Sequence, residues 1–348
     1  MQVGIWLPVF GGWLRNVADE RMESTFEYSN RVAQRADELG FSTILVAELN
    51  LNDIKGPQAP SLEAWTTISA LAVTTKKIRL MAALRPGFRW PAIAAKMAAN
   101  IDHISGGRFE INLVSAWWKE EMEMYIGQWL DHSERYRRSR EFLHVMKGVW
   151  TEPVFNYEGN FYRVQNCVLE PKPIQKPWPP VYAGGESEEA RTMIATECDV
   201  YLMHGDSVEV ISKNIVDMRA RRARVNEKPL KFGMAAYVIC RDTEAEAQAE
   251  LERITRVRED LQSYHSYKDF VTQSQLKTQL DLRDYSVSNR GLRPNFVGTP
   301  EQIVQRIKSY EKTGLDLILI QCSPMLEELE RIGTQILPEL QREGTVVA

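Results

Sequence analysis

Residues 78–114 read IRLMAALRPGFRWPAIAAKMAANIDHISGGRFEINLV, two short apolar runs on either side of a longer amphipathic one. The run 78–83 is typical of a buried strand, whereas 93–104 has the spacing of an amphipathic helix. Gly106 and Gly107 follow that helix, and glycine readily adopts the left-handed conformation that ends one. The run 108–114 then predicts the next strand, so the segment indicates a β-α-β unit.

The same alternation continues along the chain in both directions. Strands are predicted at 3–7, 43–47, 78–83, 108–114, 181–183, 200–203, 232–240 and 317–320. Helices are predicted at 27–39, 62–73, 93–104, 135–149, 187–196, 208–222, 243–258, 299–313 and 326–340. Strands that alternate with helices form a parallel sheet, and about eight of them predict an α/β fold, a (β/α)8 TIM barrel.

Two segments depart from this alternation. Residues 152–180 are rich in proline and contain a hairpin-like centre at 155–162, and residues 260–294 are polar with little periodicity. We expect residues 1–348 to form a single barrel domain with both segments as insertions at the C-terminal rim. Since active sites of such barrels lie at that rim, residues 260–294 could form a mobile lid, or they could be a plain surface excursion.

Composition favours a small-molecule partner. The net charge of −4 and the pI near 5.9 give no electrostatic reason to expect nucleic acid or an anionic membrane. The cysteines Cys167, Cys198, Cys240 and Cys322 form no C-x-x-C pair, which argues against zinc and disulfides and suits a reducing compartment. The N-terminus lacks the pattern of a signal or membrane segment, so we expect a cytoplasmic protein.

Protein side chains alone look poorly equipped for catalysis. The sequence contains no nucleophile elbow, no Walker loop, no G-x-G-x-x-G and no pair of histidines at metal-ligand spacing. No metal is therefore expected, and a cofactor is the better candidate for the difficult chemical step.

Two segments could bind a phosphate group. In Tyr182-Ala-Gly-Gly-Glu-Ser-Glu-Glu-Ala190, a strand ends in two glycines and a helix begins near Ser187, which provides bare amides and a helix dipole. The same pattern also occurs in routine tight turns. In Asp131-His-Ser-Glu-Arg-Tyr136, Asp131 and Glu134 form a predicted capping box, and several further donors crowd one helix start.

These two segments, together with Ile101-Asp-His-Ile-Ser-Gly-Gly-Arg108 and Val297-Gly-Thr-Pro300, resemble the bacterial-luciferase-like flavin-dependent monooxygenases. The resemblance spans nearly the whole chain and is strongest to the alkanesulfonate, dimethylsulfone and pyrimidine monooxygenase branch. It implies noncovalent binding of FMN at the C-terminal mouth, with reduced FMN supplied by a separate NAD(P)H-dependent flavin reductase. It further implies that O2 and reduced FMN oxidise a small organosulfur compound or nitrogen heterocycle through a peroxyflavin, and that the chain forms a dimer or tetramer.

The resemblance also implies a set of site residues. Those expected to hold the FMN phosphate are Arg135, Tyr136, Gly184, Gly185 and Ser187. Those expected near the isoalloxazine ring are Glu48, Leu49, Ala82, Ala83, Asn112 and Glu121. The candidate catalytic residues are His204, Tyr237 and Arg290. Aromatic side chains that could exclude water from the pocket are Trp6, Phe10, Trp13, Trp65, Phe88, Trp90 and Trp117.

The sequence departs from the alkanesulfonate enzymes at four positions, one of which is Leu62 or its neighbour, where those enzymes have a cysteine. Ala235 and Tyr237 stand where those enzymes have an arginine and a histidine, and Ser323 stands in place of a tyrosine. A buried sulfonate would lose a charge-assisted partner, so a neutral or differently anchored substrate is predicted. Two other functions are possible for the same fold: a deazaflavin- or flavin-dependent dehydrogenase, and a flavin-binding protein without catalytic activity.

Overall fold

The computed structural model describes residues 1–115, 117–225, 227–256 and 282–342. The strands are β1 (Gln2–Trp6), β2 (Thr43–Val46), β3 (Arg79–Leu84), β4 (Phe109–Leu113), β5 (Phe155–Glu158), β6 (Arg163–Cys167), β7 (Val181–Ala183), β8 (Val200–Met203), β9 (Lys231–Cys240), β10 (Phe296–Gly298) and β11 (Leu317–Gln321). The helices are α1 (Phe26–Leu39), α2 (Ala64–Thr74), α3 (Pro91–Ile104), α4 (Lys119–Ile126), α5 (His132–Thr151), α6 (Glu188–Glu197), α7 (Val208–Ala223), α8 (Glu244–Thr255), α9 (Leu282–Ser286), α10 (Pro300–Glu311), α11 (Met325–Gln335) and α12 (Leu337–Arg342).

Eight parallel strands close into a barrel. Their order is β1-β2-β3-β4-β7-β8-β9-β11, and β11 pairs again with β1. Helices connect successive strands, as a parallel sheet requires. The predicted TIM barrel is confirmed.

Alternating side chains divide the barrel core into two parts. Leu45, Met81 and Leu319 belong to an inner cluster, against which Trp6 packs. The residues next to them in the strands, such as Ile44 and Leu80, belong to the outer cluster under the helices. Because side chains alternate along a strand, this division shows which residues of each strand face the interior.

Segment 152–180 begins and ends at the N-terminal rim of the barrel, and its Tyr162 packs against Trp90 at the start of α3. It joins the end of α5 to the start of β7, and its strands β5 and β6 form an antiparallel pair. Gln175 Nε2 donates to Asp102 Oδ1 at 2.7 Å and to the carbonyl of Phe109, the first residue of β4, also at 2.7 Å. The predicted C-terminal location of this segment is therefore wrong, because a connection from a helix to the next strand starts at the opposite rim.

The described part of the second predicted insertion lies at the C-terminal rim. Gly205, just after β8, donates its N–H to the Asn289 carbonyl at 3.0 Å, and Tyr237 N donates to the Gly291 carbonyl at 2.7 Å. The short strand β10 extends the sheet beside the last residues of β9. The lid was predicted at residues 260–294, and most of that segment, residues 260–281, lies outside the described residues.

None of the described helices is both long enough and apolar enough to cross a membrane.

Candidate active site

Small and polar side chains face the barrel interior at the C-terminal ends of β3 and β4. Ala83 and Asn112 are register partners, and they follow the inward-facing Met81 and Glu110 by two residues. Asn112 Oδ1 is buried and accepts no hydrogen bond from any described residue. Ala82 points the other way, into the outer core, so only its backbone could contact a ligand in the mouth.

Glu48 and Glu121 are buried and form ion pairs inside the protein. Glu121 Oε2 lies 2.5 Å from Arg85 Nη1, and its other oxygen accepts from the Asn50 N–H at 2.5 Å. Glu48 accepts from the Arg85 N–H at 2.6 Å and pairs with Arg89. Burial raises the pKa of Glu48, and the Arg89 charge opposes that shift. These carboxylates therefore stabilise the loops around the mouth through Arg85 and Arg89.

Leu49 and Trp65 support this side of the mouth. Leu49 is partly buried against the core, and its carbonyl accepts from Ser61 Oγ at 2.7 Å. Trp65 is fully buried, and its Nε1 donates to the Ala83 carbonyl at 2.9 Å. Trp65 is thus a core residue rather than part of a pocket wall.

Trp90 is 48% exposed and packs edge-on against Tyr162, which places it on the outer surface.

The start of α5 and the β7–α6 loop meet at Gly185. A Cβ atom on Gly185 would lie 2.9 Å from Tyr136 Oη and 2.5 Å from Ala190 Cβ, and its φ of +149° favours glycine. A Cβ on Gly184 would lie 2.7 Å from the Leu202 carbonyl oxygen. Ser187 is the N-cap of α6. The structure therefore brings Tyr136, both glycines and Ser187 together at a helix N-terminus, an arrangement suited to an anion.

Arg135 lies beside this cradle. Its Nη1 donates to the Leu130 carbonyl at 2.8 Å, and its guanidinium carbon lies 4.2 Å from the centre of the Trp129 ring. The Nε atom is buried and has no acceptor among the described residues. Burial lowers the pKa of Arg135. A donor of this kind is available to an anionic ligand.

His204 lies at the C-terminal end of β8. Because Met203 and Met234 are register partners, His204 lies beside Ala235 of β9. Burial is the main cause that lowers the pKa of His204, and a hydrogen bond with the Asn289 backbone opposes it. The imidazole is therefore neutral near pH 7.

The other two candidate catalytic residues are both buried. Burial raises the pKa of Tyr237 well above its usual value, which keeps the hydroxyl protonated. Arg290 pairs with Glu186 of the β7–α6 loop, and its Nη1 lies 3.5 Å from Asp206 Oδ2. Within the described part of the chain, Arg290 therefore contacts the loop that contains Gly185 and Ser187. Its role as a substrate contact stays a prediction.

The sequence analysis did not single out Gln321. It is fully buried at the end of β11, and neither amide atom has a hydrogen-bond partner among the described residues. A polar residue in the apolar run LILIQC was the signal that could have identified it.

Comparison with known proteins identifies relatives that cover most of the chain. Residues 1–317 match the family described as luciferase-like monooxygenase. An FMNH(2)-dependent dimethylsulfone monooxygenase of Pseudomonas putida is 37% identical over 354 residues, covering 97% of this chain and 95% of the relative. One from Pseudomonas fluorescens (strain Pf0-1) is 35% identical over 345 residues, covering 96% and 92%.

The fold is also shared with solved structures. The crystal structure of a long-chain alkane monooxygenase superposes with a TM-score of 0.83 at 18% identity, covering 99% of this chain and 92% of that one. At such low identity this likeness concerns the fold alone. The family match and the two dimethylsulfone monooxygenases confirm the resemblance predicted from the sequence: the chain belongs to the luciferase-like monooxygenase family.

Proposed function

We propose that this protein uses O2 and reduced FMN to oxidise a small uncharged organosulfur compound, and that dimethylsulfone is the first substrate to test. Its family and its relatives at 35–37% identity show that the protein is an FMN-dependent monooxygenase. The observation that carries the substrate class is Ala235, an uncharged residue beside His204 where related sulfonate enzymes have an arginine.

The residues at the mouth fit FMN. The two glycines allow the close approach of this turn to Leu202, Ala190 and Tyr136, which a Cβ would prevent. Their N–H groups at the start of α6, with Tyr136, Ser187 and Arg135, can donate to a phosphate. The unpartnered Asn112 Oδ1 can accept a hydrogen bond from the flavin ring, beside the short side chain of Ala83. Glu48 and Glu121 act indirectly in this proposal, since they hold the loops around the ring rather than the ring itself.

Bound reduced FMN supplies the electrons that activate oxygen. The protein must exclude water from the site during this step. Trp13 is buried and packs edge-on against Trp6, with ring centres 6.4 Å apart, so these two rings cover one side of the mouth. The neutral imidazole of His204 can accept a proton there, and the protonated Tyr237 hydroxyl can donate a hydrogen bond.

Three broader expectations are part of the proposal. A separate NAD(P)H-dependent reductase supplies reduced FMN, an expectation supported by the relatives described as FMNH(2)-dependent. The chain assembles as a dimer or tetramer, and it works in the cytoplasm as one domain with no nucleic-acid or membrane partner.

The test is a reconstituted reaction with a flavin reductase, NADH, FMN and 18O2. We expect consumption of dimethylsulfone and one labelled oxygen atom in a product, with methanesulfonate consumed much more slowly. NADH oxidation that yields only hydrogen peroxide would contradict the proposal. Substrate oxidation under strict anaerobiosis would instead support a dehydrogenase.

A further inference from the structure

The Gln321 side chain lies buried at the C-terminal end of β11 and has no hydrogen-bond partner in the described part of the chain. The residue is 0% exposed, and both Oε1 and Nε2 lack a hydrogen bond to any described residue. Buried polar side-chain atoms in proteins nearly always have a partner, so this amide calls for an explanation. A ligand or an ordered water would provide one.

Trp6 supplies a second unpartnered donor next to this amide. Ile5 of β1 is the register partner of Ile320, which places Trp6 beside Gln321. Trp6 packs against the inner cluster that contains Leu319, and Gln321 follows Leu319 by two residues, so both side chains face the interior. Trp6 Nε1 is buried and has no acceptor among the described residues.

The strand residues paired with Gln321 and Leu319 carry no charge. The register partner of Gln321 on β9 is Tyr237, and that of Leu319 is Ala235. The pair offers three N–H groups, two on Gln321 Nε2 and one on Trp6 Nε1, and one carbonyl acceptor, in a place where these strands contribute no cation. Such a site suits a polar molecule without net charge better than an anion.

The pair lies on the other side of β2 from most of the residues expected to bind the cofactor. Those residues are at the ends of β2, β3, β4 and β7, whereas Trp6 and Gln321 end β1 and β11. This half of the mouth is therefore left for the substrate.

From this geometry we infer that Gln321 and Trp6 donate hydrogen bonds to the two sulfonyl oxygens of an uncharged sulfone. A sulfone presents two acceptor oxygens on a tetrahedral sulfur and carries no charge that requires a cation. Gln321 is thereby a specificity-determining residue for sulfone over sulfonate. The inference rests on the proposed function and deepens it.

The experiment compares Gln321→Met and Trp6→Phe with the control Gln305→Met, which changes an exposed glutamine of α10. Three quantities are measured: kcat/KM for dimethylsulfone in the reductase-coupled reaction, the Kd for FMN, and the thermal midpoint of the protein without substrate. We expect each site variant to lose about tenfold in kcat/KM, equivalent to about 1.4 kcal/mol. FMN affinity should be unchanged, and Gln321→Met should melt at the same temperature or higher, because it removes a buried unpaired amide.

The outcomes separate the two proposals. If the wild type oxidises dimethylsulfone and Gln321→Met retains its kcat/KM, a trapped water satisfies the amide and this inference is wrong while the proposed function stands. If Gln321→Met melts lower and binds FMN less well, the amide has a structural role and the inference is also wrong. If the wild type oxidises no sulfone, both the proposed function and the proposed role of Gln321 are wrong.

Discussion

Arg85 Nη1 lies 2.5 Å from Glu121 Oε2, and both side chains are excluded from solvent, 1% and 0% exposed. Arg85 follows the last residue of β3, and Glu121 lies in the first turn of α4. Arg85 Nη1 also donates to the Glu48 carbonyl at 3.0 Å. One buried guanidinium therefore connects three segments of the mouth, at the place where the isoalloxazine ring is expected.

Replacing Glu121 by glutamine should destabilise the protein strongly. The change leaves the Arg85 charge buried without its counter-ion, which typically costs about 3–5 kcal/mol. The free energy of unfolding, measured by urea denaturation, should fall by that amount. The control is Glu123→Gln on the same helix, where the exposed pair with Lys119 at 3.7 Å should contribute less than about 1 kcal/mol. Equal effects for the two variants would refute the argument.

The barrel could be predicted because strand and helix periodicity is local information. The predicted strand 78–83 corresponds to Arg79–Leu84, the helix 93–104 to Pro91–Ile104 and the strand 108–114 to Phe109–Leu113. Strand β10 was missed because it has only three residues and follows a polar segment without periodicity. Its place in the sheet depends on pairing with the end of β9, which no local pattern records.

The candidate site could be predicted less completely than the barrel. Glycines and capping residues predicted the turn and helix start at Gly184, Gly185 and Ser187, since backbone conformation constrains those residue types. The ion pairs of Arg85 and Arg89 could not be predicted, because their partners lie on other βα units. The orientation of Ala82 into the outer core depends on which residues of β3 face the interior, and a fully apolar strand gives no alternation from which to predict it.

Replacing Arg135 by alanine should weaken FMN binding by at least tenfold. The side chain lies beside the Tyr136–Gly185–Ser187 cradle and retains an unpartnered Nε for a phosphate oxygen. The measurement is the Kd for FMN from quenching of flavin fluorescence. Arg137→Ala is the matched control, because Arg137 is on the same helix and 62% exposed. Unchanged affinity in Arg135→Ala would remove this residue from the phosphate site.

Arg290→Met and Glu186→Gln should impair FMN binding by similar factors. Arg290 pairs with Glu186, which lies between Gly185 and Ser187, so either change releases the same loop. The double variant should bind FMN no more weakly than Arg290→Met, because the Arg290–Glu186 pair is already lost in that single variant. Arg224→Met, at an exposed site after α7, is the control.

This comparison also tests the catalytic role predicted for Arg290. If Arg290 contacts the substrate directly, Arg290→Met will raise the KM for substrate while Glu186→Gln leaves it unchanged. Parallel behaviour of the two variants would instead identify Arg290 as a positioning residue.

His204 should make the stability of the protein depend on pH. Its ordinary pKa is 6.5, and burial lowers this pKa in the folded state. As the pH falls through 6.5, the unfolded chain binds a proton that the folded protein does not, so folding stability decreases until the lower folded pKa is reached. His204→Gln removes this loss. Urea denaturation at pH 7.5 and pH 5 should therefore show a smaller decrease in unfolding free energy for the variant than for the wild type. The control is His144→Gln, at an exposed histidine of α5, and its unfolding free energy should decrease between the two pH values as much as that of the wild type. If the unfolding free energy of His204→Gln also decreases as much as that of the wild type, burial of His204 is not a source of the pH dependence.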